Sequence, residues 1–146
     1  MNTLTRSEGA PTGIVRTWLQ AEGMSILTLS MLLYWYFGSN WWIFIGLLLI
    51  PDLSMLPYFF NPRIGSLSYN MVHSYSLPLG LAAVAVAVRR FEMLPFLCTW
   101  TAHIGMDRFL GFGLKYPTAF AQTHLGPLGP RRSGLESLVR LPSNGR

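Results

Sequence analysis

Four long apolar stretches alternate with short polar breaks along the chain. Each stretch approaches the roughly 20 residues that a helix needs to cross the hydrocarbon core of a bilayer. The breaks contain residues that end helices, as in Gly38-Ser39-Asn40 and Asn61-Pro62-Arg63. The pattern predicts four helices, over about Arg16–Phe37, Trp41–Phe60, Ser66–Val88 and Phe91–Gly113.

The composition favours a membrane protein over a soluble helical bundle. Apolar residues make up 51% of the chain and charged residues only 12%, about half the charged share of a typical soluble domain. We therefore predict an all-α integral membrane bundle of four transmembrane helices. It would be multi-pass in the inner (cytoplasmic) membrane of a bacterial cell, with the lipid bilayer as its main partner.

The polar parts of the chain divide it further. Residues 1–15 are rich in Thr, Ser, Gly and Pro and are predicted to be a disordered N-terminal arm. No small-residue cleavage site follows the first apolar stretch, so we predict a retained helix and not a signal peptide. Residues 16–113 form the predicted transmembrane domain, 114–126 a cytoplasmic loop over the bundle, and 127–146 a mobile basic tail.

The formal net charge of +5 indicates orientation and not nucleic-acid binding. The basic residues are scattered among chain ends and connections, with no basic face interleaved with aromatic residues, so no nucleic-acid partner is predicted. Lys and Arg concentrate on one side of the predicted bundle, which places both termini in the cytoplasm. That side holds Arg6, Arg16, Arg63, Lys115, Arg131 and Arg132, and the other holds Arg89 and Arg90.

Each predicted helix carries ionisable residues that hydrocarbon disfavours. They are Glu22, Asp52, His73, His103, Asp107 and Arg108. A charge at the bilayer centre costs roughly 3 kcal/mol or more, so such residues usually face the bundle interior. Counted from the cytoplasmic helix ends at about 1.5 Å per residue, they lie at similar depths of roughly 9 to 15 Å. We therefore predict one polar layer in the inner leaflet, with Arg108 extending toward the inner interface.

Sequence spacing refines this polar layer. His103 and Asp107 are four residues apart and share one helix face. Pro51 and Pro78 each lack a backbone N–H and leave a carbonyl without its helical partner, at Leu47 and Ser74. In a lipid environment such irregular backbone is tolerated where it lines a cavity, so we expect it beside the polar layer.

Two histidines and two carboxylates are a ligand set that suits Zn²⁺ or Mn²⁺. The predicted metal ligands are Asp52, His73, His103 and Asp107, and the predicted catalytic base is Asp107 or Glu22. Two alternatives stay open. The four residues could hydrogen-bond to one another and only fix helix packing, and Glu22 could reach water near its helix start.

A further histidine lies in the loop after the last predicted helix. His124 in Thr123-His124-Leu125-Gly126 follows the helix by about ten residues, enough to fold back over the bundle mouth. It could cap the cavity or complete a metal shell. The alternative, which we favour on sequence, is a solvated loop histidine.

Several strings resemble a family of small bacterial membrane proteins catalogued as domain of unknown function 4260. The resemblance covers roughly Trp18 to Gly126. It rests on Pro51-Asp52-Leu53-Ser54-Met55, Tyr69-Asn70-Met71-Val72-His73-Ser74-Tyr75, Ala102-His103-Ile104-Gly105-Met106-Asp107-Arg108, Gly113-Leu114-Lys115-Tyr116-Pro117-Thr118 and Thr123-His124-Leu125-Gly126. It implies a four-helix membrane protein and no established activity.

A looser likeness concerns the order of polar residues. The order of these residues along the chain is similar to that in bacterial membrane-bound metal-dependent hydrolases. Asp52 comes first, followed by His73-Ser74 and then by His103 with Asp107. The likeness implies metal-assisted hydrolysis of an amphipathic small-molecule substrate. The sequence leaves two other functions open, a small transporter or proton relay and a structural partner subunit. It does not determine the oligomeric state.

Overall fold

The computed structural model describes residue 11 and residues 13–117 and 122–127, and these are almost entirely helical. The α-helices are α1 (Gly13–Tyr36), α2 (Trp41–Leu48), α3 (Pro62–Val72), α4 (Ser76–Ala87) and α5 (Leu94–Leu110), with 3₁₀-helices at Ile50–Phe59 and Phe91–Met93. Strands β1 (Gln122–Thr123) and β2 (Gly126–Pro127) form a small antiparallel hairpin. The all-α prediction is confirmed. Most of the predicted arm, part of the loop, and the tail from residue 128 lie outside the described residues.

Helix α1 begins earlier than predicted. It starts at Gly13, so residues 13–15, assigned to a disordered arm, are helical. Ile14 and Val15 continue the apolar pattern of the helix toward its N-terminus. The end of α5 lies beside this part of α1, close to Arg16, and is capped by the left-handed residue Gly111, with φ of 90°. Glycine adopts this conformation without steric cost, and it is a common helix end.

The predicted helix over Trp41–Phe60 is present as one helical stretch, Trp41–Phe59, but it changes from an α-helix to a 3₁₀-helix part-way. Helix α2 ends at Leu48, and a 3₁₀-helix continues from Ile50 to Phe59. Pro51 has no N–H to continue the α-helical ladder, and Pro57 lies inside the second segment. The Leu47 carbonyl, predicted to lose its partner, accepts from the Leu49 N–H in a tighter turn.

The predicted single helix over Ser66–Val88 is wrong. Helix α3 begins at Pro62 and ends at Val72, and α4 begins at Ser76. Pro78 removes the donor that would have reached the Ser74 carbonyl, so the chain leaves helical geometry before it. Two side chains of α5 bind carbonyls of the break. Trp100 Nε1 donates to the Val72 oxygen at 2.8 Å, and Arg108 Nη2 donates to the His73 oxygen at 2.9 Å.

Helices α1 and α5 pack in very close contact at two glycines. A Cβ on Gly23 would lie 2.6 Å from the Phe109 nitrogen, and one on Gly105 would lie 2.8 Å from the Leu27 nitrogen. Real Cβ atoms do not approach backbone so closely, so both positions need glycine. This contact places α5 beside α1, and much of α5, including His103 and Asp107, is buried.

One continuous helical stretch within the described ranges is long and apolar enough to cross a membrane. It is Trp41–Phe59, with 19 residues and a mean hydropathy of 1.7, and only 11% of its most apolar window is buried. The break at His73–Tyr75 divides the third predicted span into helices of 11 and 12 residues, shorter than the roughly 20 that one helix needs. Membrane association is therefore supported by one candidate span, and four spans stay a prediction.

Candidate metal centre

Four side chains from three segments converge inside the bundle. His73 and His103 approach through their Nε2 atoms at 3.0 Å. Asp52 Oδ1 lies 3.6 Å from His73 Nε2 and 3.5 Å from His103 Nε2. Asp107 Oδ2 lies 3.6 and 3.9 Å from the same two nitrogens. The structure thus brings together the four residues that the sequence singled out as metal ligands.

Local backbone geometry positions each of the four. His73 is the residue at which α3 ends, so its ring projects from the break and not from a continuous helix. Asp52 lies in the first turn of the 3₁₀-helix, directly after Pro51. His103 and Asp107 lie one turn apart on the buried face of α5. The two proline-induced breaks therefore lie beside the cluster.

The separations indicate which interaction the cluster suits. Hydrogen bonds to nitrogen span about 2.7 to 3.2 Å, whereas the four His–Asp distances are 3.5 to 3.9 Å. Two ligand atoms bound tetrahedrally to one ion at about 2.1 Å lie about 3.4 Å apart. Ligand atoms of Asp52, His73 and His103 all lie within 4.8 Å of one another. This set could hold a metal ion, and Asp107 borders it.

The His73 ring is oriented by its other nitrogen. Nδ1 lies 3.1 Å from the Tyr69 carbonyl oxygen, with Ser54 Oγ at 3.4 Å, and the ring stacks on that of Tyr69 at 3.8 Å. Donation from Nδ1–H to the carbonyl leaves the Nε2 lone pair directed into the cluster. Metal-binding histidines usually have such a backbone partner. His103 is fully buried, and its Nδ1 has no hydrogen-bond partner among the described residues.

The two carboxylates differ in exposure. Tyr69 donates its hydroxyl to Asp107 Oδ2 at 3.1 Å, and only 11% of the Asp107 side chain is exposed. Asp52 has 42% of its side chain exposed, so the cluster is open on this side. An apolar cavity of about 450 Å³ adjoins the same segment, lined by Pro51, Ser54 and Trp100 among others.

Lys115 is a buried cation beside the cluster that the sequence analysis did not assign to the site. It is only 4% exposed, and its Nζ lies 4.4 Å from the centre of the Tyr69 ring. Asn70 holds its backbone from both sides, donating to the Lys115 oxygen at 2.8 Å and accepting from its nitrogen at 2.7 Å. Burial lowers the pKa of Lys115 to about 8, and the charges of Asp107 and Asp52 act in the opposite direction.

Lys115 is the only lysine in the sequence, so its titration can be observed alone by NMR of protein labelled with ¹³C-lysine. We expect a midpoint near pH 8, against about 10.4 for the denatured chain. Because the folded-state pKa is the lower one, the free energy of unfolding should rise as the pH increases from about 8 to about 10.4. Asp52→Asn should lower the midpoint further by removing a favourable negative charge. A folded-state midpoint equal to the denatured one would contradict this assignment.

Glu22 and His124 lie outside the cluster. Both line a second cavity, together with Tyr75 and Arg108. Glu22 is exposed on α1 and has no hydrogen bond or ion pair to any of the four clustered residues. The structure therefore does not place Glu22 where a base for this cluster would act, and its catalytic role stays a prediction.

His124 is held at the end of the bundle by two hydrogen bonds with the backbone of Leu114. The Leu114 N–H donates to its Nδ1 at 2.8 Å, and its own N–H donates to the Leu114 oxygen at 3.0 Å. It packs on Gly113, where a Cβ would lie 2.6 Å from Nδ1. Burial lowers its pKa, and the charge of Arg108 lowers it further. The favoured prediction of a solvated histidine does not match this half-buried residue, and no contact joins it to the described metal-ligand atoms.

Arg108 also differs from its expected position. Its guanidinium donates to the Phe112 and His73 oxygens at 2.8 and 2.9 Å instead of extending to the membrane interface. The unpaired carbonyl at the α3–α4 break explains this, because a buried carbonyl needs a donor. The signal for this contact in the sequence was Pro78, which leaves a carbonyl near Ser74 without its helical N–H donor.

A family model described as a domain of unknown function, DUF4260, matches residues 16–128, which is most of the chain. The chain belongs to the DUF4260 family. The DUF4260 match includes all four clustered residues together with Tyr69 and Lys115. No curated protein and no solved structure matches the chain. The resemblance to this family is therefore confirmed, and the likeness to membrane-bound hydrolases stays a prediction.

Proposed function

We propose that this protein is a four-span membrane protein with a divalent-metal centre formed by Asp52, His73, His103 and Asp107, and that it hydrolyses an amphipathic substrate. The convergence of two imidazole Nε2 atoms and two carboxylate oxygens carries the proposal. The four His–Asp separations of 3.5 to 3.9 Å fit ligands around one Zn²⁺ or Mn²⁺ better than they fit direct hydrogen bonds, whereas the two imidazoles lie within hydrogen-bond distance of each other. The oriented His73 ring and the hydroxyl of Tyr69 on Asp107 are supporting contacts of the type that surrounds metal ligands.

The membrane part of the proposal rests on the outer surface and on the helix breaks. Large apolar side chains face outward along the bundle, among them Trp42, Phe59 and Phe60, which are 81%, 87% and 88% exposed. Such a surface is costly in water. At the α3–α4 break, Trp100 and Arg108 bind the Val72 and His73 carbonyls, as irregular backbone at membrane depth requires. The spans would be α1, α2 with the following 3₁₀-helix, α3 with α4, and α5.

The reaction follows from what surrounds the cluster. A bound divalent ion would supply Lewis acidity and an activated water. Asp107, which accepts a hydrogen bond from the Tyr69 hydroxyl, would take a proton from that water. The exposed edge of Asp52 gives access, and the adjoining apolar cavity of about 450 Å³ accommodates a hydrocarbon portion of the substrate. An amphipathic ester or phosphate ester fits both features.

A proton relay is the second candidate, and one observation favours it. The Tyr69 hydroxyl, Asp107, His73 and His103 form a chain of proton-carrying groups, with steps of 3.1, 3.6 and 3.0 Å. Such chains occur in membrane pumps and transporters. This function needs no metal, so metal content separates the two candidates.

Elemental analysis of the full-length protein purified in detergent tests the proposal. We expect about one Zn or Mn per chain, which matches a single set of ligands, and hydrolysis of a long-chain chromogenic ester or phosphate that a chelator abolishes. Asp107→Asn keeps an acceptor for Tyr69 but removes the base, and it should lower the rate by about 100-fold or more. A protein without metal that conducts protons in proteoliposomes would instead establish the relay.

The proposed topology has a separate test. Both termini should lie in the cytoplasm, because Lys and Arg are concentrated on that side of the bundle. Alkaline phosphatase and green fluorescent protein fused after Gly126 should report the cytoplasm, and the same reporters inserted within Gly38 to Asn40 should report the periplasm. Phosphatase activity from the fusion after Gly126 would show that the C-terminus is periplasmic. That result would overturn both the proposed orientation and the inner-leaflet depth of the site.

A further inference from the structure

A second cavity lies apart from the metal-ligand cluster and has a different chemical character. Its volume is about 530 Å³, and it is bounded by one side of α1, by Tyr75 and Arg108, and by the loop residues His124 and Leu125. None of Asp52, His73, His103 and Asp107 lines it. The proposed function therefore leaves this cavity unexplained.

One part of the cavity favours an anion. The guanidinium of Arg108 is bound only to backbone carbonyls, those of Phe112 and His73. No carboxylate among the residues that the structure describes lies within 4.0 Å of it, so no direct ion pair occupies the guanidinium. Tyr75 also lines the cavity, and its buried hydroxyl has no hydrogen-bond partner among the described residues. A buried unpaired hydroxyl is costly, and an acceptor oxygen of a ligand would satisfy it.

Another part of the cavity favours a cation and an apolar chain. Glu22 is exposed on α1, and no hydrogen bond or ion pair involves it within the described part of the chain. Trp18, Leu19 and Ile26 extend the lining along the same helix, and Trp18 is 66% exposed. The residues that line the cavity therefore include a cation, a tyrosine whose hydroxyl is unpaired among the described residues, an exposed carboxylate and an apolar wall.

We propose that this cavity binds the headgroup of a zwitterionic phospholipid, a phosphatidylethanolamine. Its phosphate would accept from Tyr75 and Arg108, its ammonium would pair with Glu22, and its acyl chains would lie along Ile26, one turn deeper than Glu22 in the proposed topology. A lipid with only negative charge would bring its headgroup against the Glu22 carboxylate. A free phosphate would leave the apolar wall uncovered. Basic pockets between membrane helices on the cytoplasmic side bind the headgroups of anionic lipids, and here the exposed Glu22 carboxylate is the feature that favours a zwitterionic headgroup.

This inference rests on the membrane association proposed above but not on the metal. Because Arg108 also binds the His73 carbonyl, we leave Arg108 unchanged in the test and alter two groups that are not part of the proposed metal centre. Tyr75→Phe removes the unpaired hydroxyl, and Glu22→Gln removes the negative charge. Tyr36→Phe and Glu92→Gln are matched controls, because both residues are well exposed and neither lines the cavity.

The experiment is lipid titration of the detergent-purified full-length protein, followed by native mass spectrometry. Phosphatidylethanolamine and phosphatidylglycerol with the same acyl chains are compared. We expect the wild type to prefer phosphatidylethanolamine by about fivefold, the effect of one solvent-accessible ion pair. Tyr75→Phe should weaken binding of both lipids by about fivefold through loss of one hydrogen bond, and Glu22→Gln should bring the preference to about one. Both controls should behave as the wild type, and metal content should stay unchanged in all variants.

Three results would overturn the inference. One is a wild type without preference between the two lipids, and another is a Glu22→Gln variant that keeps the wild-type preference. The third is competition by glycerophosphoethanolamine, the headgroup without chains, at the same concentration as the lipid, which would identify the ligand as a soluble zwitterion. If lipid binding fails while metal is retained, the metal centre stands, and if metal is absent while the lipid preference holds, the lipid site stands.

Discussion

Alanine at His73 or at His103 is expected to weaken metal binding by about 100-fold or more, whereas alanine at His124 leaves it unchanged. The first two histidines direct Nε2 atoms into the cluster with Asp52 and Asp107. His124, the third and last histidine of the sequence, is bound by Leu114 and has no contact with that cluster. Loss of an outer-shell partner alone already costs up to about 100-fold in metal affinity, so loss of a ligand should cost at least as much.

The measurement is metal content by elemental analysis, with affinity from competition against a chelating dye. His73→Ala also removes the hydrogen-bond partner of the buried His103 Nε2, so we expect a loss of roughly 1 to 3 kcal/mol in the free energy of unfolding. Asp52→Asn keeps the test informative if the histidine variants fail to fold, because Asp52 lies at the exposed edge of the cluster. Equal metal content in His73→Ala, His103→Ala and His124→Ala would refute the metal centre.

Alanine at Gly105 should be strongly destabilising, whereas alanine at Gly80 should not. The new methyl at Gly105 would lie 2.8 Å from the Leu27 nitrogen and 2.9 Å from the Gly23 oxygen, both backbone atoms that cannot rotate away. Helices α1 and α5 would have to separate, at a cost of about 3 kcal/mol. At Gly80 of α4 no atom lies within 4 Å of the added carbon, so the better helix propensity of alanine should stabilise by up to about 1 kcal/mol.

Thermal unfolding in detergent, monitored by circular dichroism, compares the two variants. Gly23→Ala should behave as Gly105→Ala does, because the two glycines face each other across the same contact. The decisive result is a lower unfolding midpoint for Gly105→Ala together with an unchanged or higher midpoint for Gly80→Ala. If both substitutions shift the midpoint equally, the cause is backbone propensity, and the close approach of α1 and α5 is wrong.

The sequence indicated the helical class and the site residues for physical reasons that can be stated. Apolar stretches specify helices because backbone groups in an apolar environment must be paired within the segment. His103 and Asp107 could be paired from spacing alone, because residues four apart share a helix face. Asp52 and His73 were singled out because ionisable side chains are costly among apolar residues.

The helix breaks were only half predicted. The positions of Pro51 and Pro78 identified the carbonyls that lose partners, yet two continuous helices were expected. A proline can kink a helix or end it, and the outcome depends on whether other groups bind the freed backbone. Trp100 and Arg108 of α5 provide the donors at the α3–α4 break. Sequence-local reasoning has no access to donors from another helix.

The sequence by itself determined that this protein is helical, largely apolar, and supplied with four side chains that suit a metal. Only the tertiary structure decided that these four converge while Glu22 and His124 lie in another cavity, and that Lys115 is buried beside Tyr69. The physical reason is the distance along the chain between the partners. Helix periodicity relates residues within a few turns, but contacts among Asp52, His73 and His103 depend on how separate segments pack, which the glycine contact of α1 with α5 helps to set.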